Sequence, residues 1–99
     1  MNTTIYALST PPGRSGVAVV RLSGPGAGGM LDALAGLPRP APRRAALRTL
    51  NAPDASVIDR ALALWFPGPA SFTGEDCVEL HLHGGPAVIE AALSALDES

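Results

Sequence analysis

The most regular alternation of hydrophobic and polar residues along the chain lies between Cys77 and His83. Side chains in a β-strand point to opposite faces in turn, so a period of two predicts a half-buried strand over this stretch. The predicted inner face carries Val78, Leu80 and Leu82. The predicted outer face carries Cys77, Glu79, His81 and His83. Gly84-Gly85-Pro86 follows and predicts the entry to a helix.

Similar patterns predict four more strands and two helices. Apolar or β-prone runs bounded by turn residues predict strands over Thr3 to Leu8, Val17 to Leu22, Arg44 to Leu50 and Val57 to Phe66. Apolar residues at helical spacing predict helices over Ala27 to Leu37 and Pro86 to Asp97. The order β-β-α-β-β-β-α predicts an α+β fold, with a mixed or antiparallel sheet and two or three helices. A chain of 99 residues suits one domain over 1–99.

Two strands carry features that bear on a site. The run from Ala61 to Phe66 is apolar at every position, which predicts a strand covered on both faces. The strand from Val17 to Leu22 contains one charged residue, Arg21. An arginine in an apolar strand is costly to bury without a partner. Arg21 is therefore predicted either to reach water at the strand end or to meet a carboxylate or a ligand.

The composition narrows the classes of function. Apolar residues make up 46% and charged residues 16%, which indicates a globular domain, and the net charge of −2 argues against a nucleic-acid surface. All the cations are arginine, and the absence of lysine excludes a Walker-type phosphate loop and lysine-dependent catalysis. Four arginines cluster in sequence and are predicted to be solvated loop charges, with a small basic patch as the alternative: Arg39, Arg43, Arg44 and Arg48.

The start of the chain and its cysteine content predict a cytoplasmic protein that does not enter a membrane. The segment MNTTIYALST has no basic region and no long apolar run, so no signal peptide or anchor is predicted. No stretch approaches the roughly 20 apolar residues that span a bilayer. Cys77 is the single cysteine, which fits a reducing compartment.

The polar face that carries Glu79, His81 and His83 admits a metal site. Two histidines and a carboxylate can bind a divalent ion, so a small metal-binding protein or metal-dependent enzyme is one alternative. Glu79 and His83 lie roughly 13 Å apart along a strand, however, and cannot both ligate one ion without strong curvature. Cys77 is predicted to be a small packing residue rather than a nucleophile.

The same face also admits ligand recognition. The two oxygens of Glu79 match a guanidine-like donor pair, such as the amino-pyrimidinone edge of a pterin, and Arg21 could hold the other end of one flat, polar molecule. The helix that begins at Pro86, entered through Gly84 and Gly85, offers N–H groups to an anionic tail. The third alternative is a purely structural assembly domain in which Arg21 and Glu79 pair with each other.

Two long motifs resemble a known family. TPPGRSGVAVVRLSGP near the start and LALWFPGPASFTGEDCVELHLHGGPAVIEAAL later resemble the N-terminal domain of the bacterial tRNA-modification GTPases (the MnmE or TrmE family). The resemblance covers nearly the whole chain and is weakest between Gly28 and Ser56. It implies a folate-binding and dimerising module, similar in fold to the tetrahydrofolate-binding domains of aminomethyltransferases.

The resemblance also implies a ligand, partners and site residues. The expected cofactor is 5-formyltetrahydrofolate or a related tetrahydrofolate, used in a one-carbon transfer. The expected partners are a second copy of the chain, a flavin-dependent protein (MnmG or GidA), and the tRNA whose wobble uridine is modified. By position, the folate contacts are Arg21 in VVRLSG and Glu79 in CVELHLHGG. Further candidate cofactor-binding residues in the same motifs are Arg14, His83, Gly84 and Gly85.

A complete family member is expected to be longer. It continues with a further folate-contacting lysine, a helical domain, an inserted potassium-dependent GTPase domain that binds GTP and magnesium, and a C-terminal cysteine motif. The chain is therefore expected to be C-terminally truncated, to hydrolyse no GTP, and to bind folate more weakly than a complete member does.

Overall fold

The computed structural model describes residues 4–8, 17–69, 71, 73–83 and 85–97. Within them, five strands and two helices follow in the predicted order, which confirms the α+β class. The elements are β1 (Ile5–Leu8), β2 (Val17–Ser23), α1 (Ala27–Ala35), β3 (Ala46–Asn51), β4 (Val57–Phe66), β5 (Cys77–His83) and α2 (Pro86–Asp97). Helix α1 ends earlier than predicted because Gly36 adopts a φ of 74°, a conformation that glycine favours.

The five strands form one antiparallel sheet in the order β1-β2-β5-β4-β3. Strand β5 therefore lies at the centre, between β2 and β4. The register between β2 and β5 places Arg21 directly opposite Glu79 and Val19 opposite His81. Directly opposite residues of an antiparallel pair project from the same face of the sheet. The register thus brings the predicted site residues of two distant motifs together.

Both helices pack on the same face of the sheet. The buried core combines strand residues with residues of α1 and α2 in one hydrophobic cluster. Its fully enclosed strand residues include Val20, Leu22, Val78, Leu80 and Leu82. The helices contribute Leu31, Leu34, Ala92 and Leu96. Neither helix of the described residues has the length and hydrophobicity that crossing a membrane requires.

The prediction that β4 is covered on both faces is wrong. Ala61, Ala63 and Trp65 are buried against the helices, but Leu62 on the opposite face is 41% exposed. The reason is that α1 and α2 lie on one side, and no other described helix or strand covers the second side, where the loop before β5 buries only the end at Cys77. We call this second side the open face. The residues of β2, β4 and β5 that it carries include Val17, Val19, Arg21, Leu62, Leu64, Glu79, His81 and His83.

Arg39 also departs from its prediction as a solvated loop charge. Its Nη2 and Nε donate to the two carboxylate oxygens of Asp32 on α1, at 2.6 and 3.0 Å. Its guanidinium lies over the ring of Trp65, 4.5 Å from the ring centroid, which is a favourable cation–π distance. Arg39 therefore ties the segment after α1 to both the helix and strand β4.

A glycine on α1 makes room for this arginine. A Cβ atom placed on Gly28 would lie 2.6 Å from Nη1 of Arg39, whereas a Cβ on Gly29 would meet nothing within 4 Å. Replacing glycine by alanine inside a helix normally stabilises a protein by about 0.5–1 kcal/mol. We expect Gly29→Ala to show this gain. The free energy of unfolding of Gly28→Ala should be about 1 kcal/mol or more below that of Gly29→Ala, because the displaced Arg39 loses its contacts.

Urea unfolding of the two alanine variants beside the original chain measures this difference. The two substitutions are chemically identical and lie next to each other, so their difference isolates the contact with Arg39. Equal gains in the free energy of unfolding for both variants would contradict the packing of Arg39 against α1.

Candidate functional site

The open face carries an ion pair between the two residues that the sequence singles out. Glu79 Oε2 accepts hydrogen bonds from Arg21 Nη2 at 2.7 Å and from Arg21 Nε at 3.2 Å. The Glu79 side chain is only 12% exposed, whereas that of Arg21 is 39% exposed. The structure therefore places Arg21 and Glu79 in direct contact, the pairing that sequence reasoning left open as one alternative.

A third polar residue joins this pair. His81 Nε2 lies 3.1 Å from Oε1 of Glu79, the carboxylate oxygen that these Arg21 contacts leave open. The two residues are two apart on β5, so their side chains project from the same face. Sequence reasoning placed His81 only in the metal alternative and missed its contact with Glu79. The alternation along β5 was the signal that could have found it.

The surroundings of Glu79 keep its carboxylate ionised. Burial raises the pKa of Glu79, but the hydrogen bonds from Arg21 and His81 and their positive charge more than offset this, so the pKa lies below its ordinary value. An ionised carboxylate accepts hydrogen bonds and donates none. At neutral pH, Glu79 is therefore a hydrogen-bond acceptor.

Apolar side chains border the three polar ones. Leu64 on β4 lies opposite Glu79, and Leu62 lies opposite His81. Val19 lies opposite His81 from the other side. Because sequence reasoning treated β4 as buried on both faces, it did not predict that Leu62 and Leu64 would border the site. A charged cluster set among apolar side chains suits a flat ring with a polar edge.

His83 and Gly85, the two other predicted cofactor-binding residues that the structure describes, have partners other than Arg21 and Glu79. His83 is exposed at the end of β5, where its main-chain N donates to Asp59 Oδ2 at 2.8 Å and its Nδ1 lies 3.3 Å from both Asp59 carboxylate oxygens. Gly85 precedes α2, and its carbonyl accepts the N–H groups of Val88 and Ile89. The remaining two candidates, Arg14 and Gly84, lie outside the described residues.

This arrangement does not support the hypothesis of a metal site formed by Glu79, His81 and His83. Among the residues that the structure describes, no three His, Cys, Asp or Glu side chains cluster so that they could hold a metal ion. His83 instead contacts Asp59, and Glu79 contacts Arg21 and His81.

Cys77 is buried at the start of β5, in agreement with the predicted packing role. Its Sγ lies 3.3 Å from the Thr73 hydroxyl and 3.6 Å from the Ser23 hydroxyl. These contacts join the ends of β2 and β5 to the loop before β5.

Comparisons with known proteins assign the chain to a family. The sequence profile described as "GTP-binding protein TrmE N-terminus" matches residues 4–99. The tRNA modification GTPase MnmE of Maricaulis maris is 75% identical over 99 residues, which cover 100% of this chain and 23% of that protein. The mouse mitochondrial 5-taurinomethyluridine-[tRNA] synthase subunit GTPB3 is 56% identical over 96% of this chain and 20% of its own length. The chain thus spans less than a quarter of either relative.

Proposed function

The chain belongs to the family of GTP-binding protein TrmE N-terminal domains, and on that premise we propose that it is a tetrahydrofolate-binding and homodimerising module of a tRNA-modifying GTPase. The relatives are named for tRNA modification, which supports a role in the modification of tRNA. The ligand that we propose for this chain is 5-formyltetrahydrofolate or a related reduced folate. In the whole protein, the module would act in the cytoplasm with a flavin-dependent partner on the wobble uridine.

The ionised Glu79 carboxylate on the open face is the observation that carries this proposal. A pterin ring presents neighbouring N–H donors on its amino-pyrimidinone edge, and a carboxylate with two oxygens matches such a pair. Arg21 and His81 each approach Glu79 from one side, and each carboxylate oxygen can accept more than one hydrogen bond. The polar edge of a pterin would meet Glu79 while its flat faces meet Leu62 and Leu64.

Calorimetric titration of the purified chain with 5-formyltetrahydrofolate tests the proposal. We expect saturable binding with one folate per chain. The observed Arg21–Glu79 ion pair also fits the alternative of a purely structural assembly domain, in which the pair serves stability alone. A well-folded chain that releases no heat of binding and shows no change in melting temperature with folate would favour that alternative.

The open face also supports homodimerisation. Three apolar side chains on it are partly exposed to water: Val17 at 43%, Leu62 at 41% and Leu47, opposite Leu62 on β3, at 47%. Leu47 and Leu62 are direct neighbours and form one exposed apolar patch, and such a patch supports a protein–protein interface. A second copy of the chain, packed against this surface, would remove these side chains from water and lie next to the folate site.

We expect Leu62→Asp to shift the chain from dimer to monomer, because a buried, unpaired charge at an interface is strongly unfavourable. Sedimentation equilibrium at micromolar to high micromolar concentration measures the shift. Leu37→Asp is the matched control, since Leu37 is 77% exposed and lies in the segment after α1, outside the strands that carry the open face. An original chain that stays monomeric at high micromolar concentration would contradict dimerisation of this module.

A further inference from the structure

The Glu79 carboxylate is held from two directions by two different elements. Arg21 on β2 donates twice to Oε2, and His81 on β5 reaches Oε1. The backbone of neither donor is free to move independently, because β2 and β5 are paired over their whole length. The contact with His81 therefore gives the carboxylate a second anchor at Oε1, so that it cannot pivot about Oε2, the one oxygen that Arg21 holds.

The contact also identifies which ring nitrogen of His81 carries a hydrogen. An ionised carboxylate only accepts, so Nε2 of His81 is the donor and bears a hydrogen. His81 is 30% exposed, and its cross-strand neighbours on the same face are the apolar residues Val19 and Leu62. Its ring is thus held beside the carboxylate by the sheet, and not by Glu79 alone.

The geometry assigns His81 as a positioning residue, which orients the Glu79 carboxylate so that its free acceptor positions meet the donor edge of the ligand. This inference rests on the proposed folate site and adds a third residue to it. Binding of a planar donor pair requires the carboxylate plane to be aligned with the ring. Without His81, the carboxylate would pivot about Oε2. Ligand binding would then have to fix the orientation of the carboxylate, and this loss of conformational freedom would weaken the affinity.

Two variants separate positioning from packing. Glutamine at position 81 can place an amide N–H near the position of Nε2, so His81→Gln retains a donor to Glu79. Leucine has a similar bulk without a donor, so His81→Leu removes the hydrogen bond and suits the apolar neighbours. We expect His81→Leu to weaken 5-formyltetrahydrofolate binding about tenfold, the effect of roughly one hydrogen bond to a charged group. His81→Gln should stay within about threefold of the original chain, because it restores the donor.

Two measurements on the original chain and both variants test the assignment. Calorimetric titration with 5-formyltetrahydrofolate gives the affinities, and an NMR titration of the Glu79 carboxyl carbon follows its pKa without any ligand. The pKa of Glu79 should rise in His81→Leu and stay nearly unchanged in His81→Gln, since only the first loses the donor. Thermal melting confirms that all three proteins are folded.

Each outcome has a distinct meaning. An unchanged Glu79 titration in His81→Leu overturns the assignment, whatever the affinities are. Equal folate affinity in His81→Leu and the original chain also overturns it, as does an equal loss in both variants. If the original chain binds no folate but the Glu79 pKa rises only in His81→Leu, the proposed function fails while the positioning of the carboxylate by His81 stands.

Discussion

Replacing Glu79 by alanine is expected to abolish detectable binding of 5-formyltetrahydrofolate. The substitution removes the acceptor for the donor edge of the ligand, and it leaves Arg21 and His81 next to each other without the carboxylate that separates them. A charge-assisted pair of hydrogen bonds contributes about 3 kcal/mol or more, which corresponds to a loss of over a hundredfold in affinity. Calorimetric titration beside the original chain measures this loss.

The control for this prediction is Glu79→Gln. Glutamine keeps the shape and one acceptor oxygen but exchanges the other for a donor, so it should weaken folate binding by less than alanine does. Glu79→Ala should lower the free energy of unfolding by only about 1–2 kcal/mol, because Arg21 can recover contacts with water. A folded Glu79→Ala variant that binds folate normally would contradict the proposed site and leave the ion pair with a purely structural role.

The local pattern of the sequence predicted the elements because the physical causes of each element are local. The alternation along β5 separates Val78 and Leu80, which are buried, from Glu79, which faces the other way. Pro86 begins α2 because proline is favoured in the first turn of a helix, and the missing N–H costs nothing there. Both features depend on neighbours within a few residues.

The arrangement of the site depends on contacts between distant parts of the chain, which local patterns do not contain. Arg21 meets Glu79 because β2 and β5 are neighbours, although 58 residues separate the two side chains in sequence. Sequence reasoning named both residues but left open whether they hold two ends of one ligand or pair with each other. The exposure of Leu62 was missed for the same reason, since an apolar strand does not reveal how many faces of the sheet the helices cover.

The two faces of the sheet should respond very differently to the same substitution. Leu80 on β5 is completely buried between the sheet and the helices, so Leu80→Ala should lower the free energy of unfolding by about 2–5 kcal/mol through lost burial and a residual cavity. Leu62→Ala on the adjacent strand β4 is the matched control, with an expected loss below about 1 kcal/mol in dilute protein, because its side chain is 41% exposed on the open face. Urea unfolding of the two variants measures both losses. Comparable losses would mean that both faces of the sheet are covered within one chain, which would remove the open face on which folate binding and dimerisation are proposed.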